Sequence, residues 1–292
     1  MDQALVMNEP VGLIAGGGRL PFLVAQGIHR AGRQVACVGV ATHYDDMLPT
    51  CCDRFAAISV LRMASMCRQL RRWGATQVVM VGRVRKSIMY NPVRLFRSIP
   101  DMGSVRVWYI TRHDRRPDKL LTAIANELTN NGVTLIDSTT YIPDQMSDEG
   151  PMTRRRPSAS QSADIEFALP IVQQLGDLDI GQAIAVKDRD IIAVEAMEGT
   201  DAMIERAGKL CRKGKWTLVK LARPNQDMRF DVPTVGLQTI EQLAANGATC
   251  LAIEAGRAIL LDKPAFITAA EKAGVALVGV HVGATPPKRL SP

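Results

Sequence analysis

Short apolar runs alternate with stretches of helical spacing along the first half of the chain. Val11–Ala15 is a short apolar run that ends in Gly16, Gly17 and Gly18. A helical pattern follows from Leu20 to Ala31, and Gly32 stops it. Gln34–Val40, apolar and partly β-branched, reads as a second strand. The cycle repeats with a helix over Leu61–Trp73, Gly74 as its stop, and a strand over Gln77–Val81. Pro117 suits the first position of a helix reaching Leu128, with Gly132 behind it and Val133–Ile136 as a further strand. This alternation predicts a parallel sheet flanked by helices.

The second half continues the theme less regularly. A helix is expected over Ala163–Leu175, with strands over Gly181–Val186, Ile191–Ala196 and Thr217–Leu221. Thr239-Ile240-Glu241-Gln242 has capping-box spacing, and Gly247 closes the helix it would start. Strands over Thr249–Ile253 and Ile259–Leu261, a helix over Pro264–Ala273 and a strand over Val275–Val282 complete the pattern. Between Pro143 and Ser162 the composition turns to Gly, Pro, Ser and the basic run Arg154–Arg156, which reads as linker. Two α/β domains are therefore expected. The first is Rossmann-like with a mostly parallel sheet over 1–145, followed by a linker over 146–162. The second, over 163–292, carries the candidate catalytic aspartate.

Length and composition agree with that division. A chain of 292 residues with 47% hydrophobic and 22% charged positions can bury two cores, which argues against wholesale disorder. Aromatic residues are 4% of the chain, too sparse for a platform that stacks single-stranded nucleic acid. The net charge of +7 and a pI near 9.3 favour an anionic partner, whether phosphate, nucleic acid or acidic membrane. The six cysteines form no Cys-x-x-Cys pair, and the four histidines lack metal-ligand spacing, a pattern suited to a reducing compartment. Met1–Pro10 lacks the features of a signal peptide, and no apolar run approaches the roughly 20 residues that span a bilayer.

Four stretches could carry chemistry. Gly16, Gly17 and Gly18 join a strand to a helix, where backbone N–H groups can approach a phosphate. Pro21 occupies the third glycine position of a dinucleotide fingerprint, and no Lys-Ser/Thr pair follows, so a tight turn without a ligand explains them equally well. Glu195-Ala-Met-Glu198-Gly199-Thr200-Asp201 lies where a strand gives way to a helix. Thr200 or Asp201 can cap that helix, while Glu195 and Glu198 are placed to hold a hard cation or ribose hydroxyls.

The third stretch is Lys220-Leu-Ala-Arg223-Pro-Asn-Gln-Asp227-Met-Arg229-Phe-Asp231-Val-Pro233. If Asp227–Val232 is extended, Asp227, Arg229 and Asp231 share one face, with Met228, Phe230 and Val232 on the other. Two carboxylates around an arginine, with Lys220 and Arg223 upstream, suit metal-assisted attack on a phosphate. A charged edge strand explains the same pattern equally well. Arg83–Pro100 mixes five basic residues with apolar ones, as an interfacial segment or as an ordinary packed connection.

In this order the features resemble the UDP-2,3-diacylglucosamine diphosphatases of lipid A synthesis, the two-domain family unrelated to calcineurin-like phosphoesterases. The matching motifs are Gly12-Leu-Ile-Ala-Gly16-Gly-Gly-Arg-Leu-Pro21, Leu178-Asp-Ile-Gly181-Gln182 and Ala193-Val-Glu195-Ala-Met-Glu198-Gly199-Thr200-Asp201-Ala-Met203. Arg229-Phe-Asp231-Val-Pro233-Thr-Val-Gly236 and Glu254-Ala-Gly256-Arg257 complete them. Two segments depart from the family's pattern. Gly82-Arg83-Val84-Arg85-Lys86-Ser87 stands where the family favours Gly-Asn-Val and then Arg-Pro, and Arg116-Pro117-Asp118-Lys119-Leu120-Leu121 replaces Gly-Asp-Asp-x-Leu-Leu.

The resemblance implies Mg²⁺-dependent hydrolysis of UDP-2,3-diacylglucosamine to UMP and 2,3-diacylglucosamine 1-phosphate (lipid X). It implies a cytoplasmic protein peripheral to the inner membrane of a Gram-negative-type bacterium, with the lipid-modified sugar held between two domains. It leaves room for a homodimer and calls for no nucleic acid. The family's essential aspartate falls on Asp231. Around it, Asp227 is expected as a second metal carboxylate, and Lys220 and Arg229 as cations against the phosphates. Gly16, Gly17, Gly18, Gly199, Thr200 and Asp201 are expected to hold the nucleotide. Two other readings compete: a nucleotide-binding oxidoreductase, prompted by the glycine turn, and a non-enzymatic lipid- or nucleic-acid-binding protein, prompted by the basic charge.

Overall fold

The computed structural model describes residues 9–84, 99–114, 116–224 and 226–282. Five strands of the first half form one sheet: Val11–Ala15 (β1), Val35–Val40 (β2), Arg54–Ile58 (β3), Gln77–Val81 (β4) and Thr134–Leu135 (β5). Their order is β3-β2-β1-β4-β5, and every pairing is parallel. Every residue of β1 and β2 is buried, as expected of central parallel strands covered on both faces. The first unit is thus Rossmann-like, with its chain reversal between β1 and β4.

Helices Leu20–Arg30 (α1), Met63–Arg72 (α2), Met102–Thr111 (α3) and Pro117–Asn130 (α4) surround this sheet. In α2 the buried residues are Met63, Met66, Cys67 and Leu70, the spacing of one helical face. Met66, Cys67 and Leu70 join Ile14, Val38, Val78 and Leu128 in a common core, while Met63 packs with Val107 and Ala123. Neither β3 nor α3 is anticipated by the hydrophobic pattern. β3 is an edge strand with no fully buried residue, and α3 keeps its large apolar side chains outside.

The second unit holds a six-stranded sheet from Gly150–Pro151 (β6), Ala183–Lys187 (β7), Asp190–Val194 (β8), Trp216–Lys220 (β9), Ala248–Glu254 (β11) and Ala276–Val280 (β13). Thr234–Val235 (β10) and Ile259–Leu260 (β12) form a separate parallel pair. The large sheet has the order β6-β13-β11-β9-β7-β8. β9, β11 and β13 run parallel, while β7 runs antiparallel to both β9 and β8. Asp188 and Arg189 both adopt left-handed φ (54° and 59°) in the two-residue turn between β7 and β8, as a type I′ hairpin requires.

Side-chain alternation divides the core into two layers. Trp216 and Leu218 pack with Met203, Ile240 and Phe266, beneath helices Thr200–Leu210 (α6), Leu237–Ala245 (α7) and Lys263–Ala273 (α8). Val219 and Leu221 pack with Ile165, Ala168 and Val172 of Ala159–Asp177 (α5) on the opposite face.

Three expectations change. The stretch 146–162, read above as linker, is built into the second unit. Gly150 and Pro151 pair with β13, Ser147 is buried with its Oγ donating to the Glu254 carbonyl at 2.6 Å, and Ser158 caps α5. Helix α7 starts at Leu237, not Thr239, whose Oγ1 accepts from the Gly236 N–H at 3.5 Å. Finally, Asp227–Asp231 clusters with the first unit, although the flanking chain belongs to the second. The candidate aspartate is therefore not simply a residue of the C-terminal domain.

Candidate active site

Asp227–Asp231 is a turn, not an extended strand, so the predicted alternation of faces does not occur. The Asp227 carbonyl accepts from the N–H groups of Phe230 (3.2 Å) and Asp231 (2.9 Å). The Asp227 carboxylate accepts from the Arg229 backbone N–H at 3.0 Å, an Asx turn. Phe230 packs against the first unit's core, and the Met228 carbonyl accepts from both the N–H (3.1 Å) and the Oγ (2.8 Å) of Ser138. These contacts fix the turn that presents Asp231, which is half-buried.

Asp227 and Arg229 neutralise each other. Arg229 Nε lies 2.9 and 3.1 Å from the two carboxylate oxygens, and Nη2 lies 2.6 Å from Oδ2. The Arg229 guanidinium holds Asp227's carboxyl below the usual carboxylate range, partly opposed by burial. Both oxygens of Asp227 thereby accept from Arg229. Arg229 is likewise committed to Asp227.

The glycine turn has a structural occupation of its own. Gly16 N–H donates to the Val81 carbonyl at 2.8 Å, and Gly17 exchanges hydrogen bonds with Arg83 at 3.0 and 2.8 Å. A Cβ on Gly16 would lie 2.7 Å from the Arg83 carbonyl oxygen. Close approach of the backbones at the ends of β1 and β4 explains Gly16, a Cβ on Gly17 would lie 2.6 Å from the His43 carbonyl oxygen, and the N–H groups of both are paired with backbone carbonyls. Gly18, with φ of 100° and open space around it, is the member of the three that faces no such neighbour. Of the predicted basic segment 83–100, residues 85–98 lie outside the described residues.

The second unit brings Glu195, Thr200 and Lys220 together. β8 and β9 point the same way, because each is antiparallel to β7, and β11 runs with them. Glu195, Lys220 and Glu254 therefore stand at the same edge of the sheet, the carboxyl ends where α/β proteins bind ligands. Thr200, the first residue of α6, donates its hydroxyl to Glu195 Oε1 at 2.7 Å and accepts from Lys220 Nζ at 2.6 Å. Gly199 precedes it at φ 83°, which lets the chain turn sharply into α6. Lys220 Nζ is 4.0 Å from Glu195 Oε2, an atom buried without a hydrogen-bond partner. Burial pushes the Lys220 pKa down from the ordinary lysine value, against the opposing charges of Glu195 and Asp201.

Glu198, expected beside Glu195, is drawn to the surface by Arg206, whose Nη2 lies 2.5 Å from its carboxylate. Sequence reasoning gave no role to Glu254, although it lies in a matching motif. Its Oε2 accepts from the Ala222 N–H at 2.8 Å and its Oε1 pairs with Arg257 at 3.2 Å, so a buried carboxylate ties the end of β11 to the chain after β9. The signal that could have found it is its position at a strand's carboxyl end. Among the described residues, no three His, Cys, Asp or Glu side chains converge as a metal cage.

A Rossmann-like unit followed by a mixed α/β unit, with polar side chains gathered at the carboxyl ends of the second sheet, defines a two-domain α/β family. The LpxI N-terminal domain matches residues 10–145, and the LpxI C-terminal domain matches residues 148–278. The chain belongs to the LpxI family. It is 30% identical, over 282 residues, to the UDP-2,3-diacylglucosamine pyrophosphatase LpxI of Caulobacter vibrioides, a match covering 92% of this chain and 97% of that protein.

Proposed function

We propose that this chain hydrolyses the pyrophosphate bond of UDP-2,3-diacylglucosamine, giving UMP and 2,3-diacylglucosamine 1-phosphate (lipid X). The observation that carries this reading is the near full-length match to a relative of that name, with both family domains present. One water is consumed, and the bridging oxygen stays with one of the two phosphate products. In this reading Asp231 orients the attacking water and accepts its proton, from a turn fixed by Phe230 and Ser138.

Mg²⁺ is the proposed cofactor. When bound, it offsets charge on the pyrophosphate oxygens and makes a bound water more acidic. Magnesium is commonly held by one or two carboxylates together with substrate oxygens, so a cage of three protein carboxylates is not required. Asp231, a half-buried carboxylate, is the proposed protein ligand. Asp227, which pairs with Arg229, is the second candidate.

In the second unit, Thr200 and Lys220 are proposed to bind the nucleotide diphosphate. Lys220 is a buried cation whose partners, Thr200 and Glu195, hold its position. Among the described residues, no helix is long and apolar enough to cross a membrane. A diacylated substrate places the protein at the cytoplasmic face of the inner membrane as a peripheral component.

The test is UMP release from purified UDP-2,3-diacylglucosamine by the wild type and by Asp231→Ala. Release by the wild type, with loss in a variant of unchanged thermal midpoint, supports the proposal. Full activity in Asp231→Ala would remove Asp231 from the mechanism, and absence of UMP release by the wild type would remove the function.

A further inference from the structure

Helix α3 buries its small residues and exposes its large ones. Gly103, Ser104, Val107 and Thr111 face the first unit. Met102 (77% exposed), Trp108 (56%), Tyr109 (58%) and Ile110 (61%) face outward, with Val105 (43%) between them. Met102, Val105 and Tyr109 share one stripe at i, i+3 and i+7, and Trp108 and Ile110 flank it. Ile99, just before the helix, is also exposed.

This orientation is held, not incidental. Asp101 caps the helix, accepting from the Ser104 N–H at 3.1 Å and from the Ser65 N–H at 3.1 Å. Ser104 Oγ accepts in turn from the Met63 N–H at 3.3 Å. Polar contacts on the inner side thus fix a helix whose apolar surface is left outside. A contiguous exposed apolar patch of this kind marks an interaction surface.

The charges on the helix itself are basic. From Met102 to His113 the sequence contains Arg106 and Arg112 and no acidic residue; Asp101 at the start is engaged by the Ser65 and Ser104 N–H groups, and Asp114 beyond the end is paired with Arg116. Arg112 lies over the Tyr109 ring at 3.8 Å, so its charge sits beside the aromatic face. Arg106 reaches back to the buried Glu127 at 3.3 Å and keeps more than half its side chain exposed. Apolar residues, a Trp and a Tyr edged by arginines suit the boundary between anionic headgroups and acyl chains. A second copy of the chain fits less well, since a two-fold contact through α3 would bring its arginines toward their own symmetry mates.

We propose that the outer face of α3 docks on a bilayer containing anionic phospholipid. Trp108, Tyr109, Met102 and Val105 enter the acyl boundary, and Arg112 meets the headgroups. The surface itself stands on the geometry of α3, while the choice of a bilayer as occupant rests partly on the diacyl-lipid reading above.

The experiment measures co-sedimentation with vesicles of phosphatidylethanolamine and phosphatidylglycerol, and with neutral phosphatidylcholine vesicles. It compares the wild type with the double variant Trp108→Ser/Tyr109→Ser. UMP release from detergent-dispersed UDP-2,3-diacylglucosamine and oligomeric state by light scattering are read in parallel. The expected result is wild-type binding that prefers anionic vesicles and weakens about tenfold or more in the double variant. Detergent-phase activity and oligomeric state stay unchanged.

Equal vesicle binding by both proteins would overturn the proposal, as would absence of wild-type binding or a wild-type dimer that the substitutions dissociate. Should the double variant fail to fold, Arg112→Glu carries the test, with the same loss of anionic-vesicle binding expected and unchanged binding as the refutation. Vesicle binding by a wild type that releases no UMP would overturn the enzymatic reading while supporting the docking surface.

Discussion

Arg229 folds back onto Asp227, with Nε 2.9 Å from one carboxylate oxygen and Nη2 2.6 Å from the other. The pair spans a single intervening residue and closes the turn that ends at Asp231. The pair thereby helps to shape the turn that carries Asp231.

Asp227→Asn should therefore lower stability modestly, by about 1 kcal/mol, because both partners are partly exposed and solvent screens the pair. The folded state holds the Asp227 pKa below its unfolded value. Its stabilisation is thus present at pH values above the usual carboxylate pKa, and is lost as pH falls through the depressed one. Thermal midpoints measured against pH should show the wild-type advantage over Asp227→Asn at neutral pH and its disappearance in acid. A difference that grows on acidification would contradict the assignment.

Metal dependence separates the two aspartates. Chelation with EDTA should abolish UMP release, and added Mg²⁺ should restore it. Because Arg229 engages Asp227 and Asp231 is the proposed ligand, Asp227→Asn should raise the Mg²⁺ concentration for half-maximal rate far less than Asp231→Asn does. An equal rise in both variants would place Asp227 at the metal site.

Lys220 offers a test in the second unit. Lys220→Met leaves the Glu195 carboxylate buried without its cation, at a cost of about 3 kcal/mol. Adding Glu195→Gln should recover part of that loss in urea unfolding, whereas additive losses would mean the two do not interact. Burial lowers the Lys220 pKa in the folded state. The cost of burying its charge is therefore present below the depressed value, and is relieved as pH rises from there toward the ordinary lysine value. Wild-type stability relative to Lys220→Met should rise over that window.

The glycine turn can be tested by its packing. Gly16→Ala would place a Cβ 2.7 Å from the Arg83 carbonyl oxygen and 2.8 Å from the Gly82 carbonyl carbon, both backbone atoms. A loss of about 1–3 kcal/mol is expected from such overpacking. Gly18→Ala meets open space and carries only the strain of its positive φ, about 1 kcal/mol. Chemical denaturation should rank Gly16→Ala below Gly18→Ala, and the reverse order would argue against close approach as the reason for Gly16.

Much of this architecture was legible in the chain. β1, α1, β2, β4 and α4 follow from apolar runs and glycine or proline punctuation, because buried parallel strands and one-sided helices impose those periods. The matching motifs contain Glu195, Thr200 and Asp231, and Lys220 stood out separately as a cation, but the meeting of Glu195, Thr200 and Lys220 was not legible in the chain. Three things required the tertiary structure. Asp227–Asp231 alternates like a strand, yet local hydrogen bonding by the Asp227 side chain, together with Phe230 packing in the first unit's core, makes it a turn. Gly16 and Gly17 look like a phosphate cradle, but their N–H groups meet the carbonyls of Val81, the last residue of β4, and Arg83, more than sixty residues away. Helix α3 escaped detection because its large apolar residues face outward, and a periodicity that marks burial cannot indicate a helix fixed by polar contacts on its inner side. Periodicity reports which positions are apolar. Only long-range packing decides what each apolar or polar face meets.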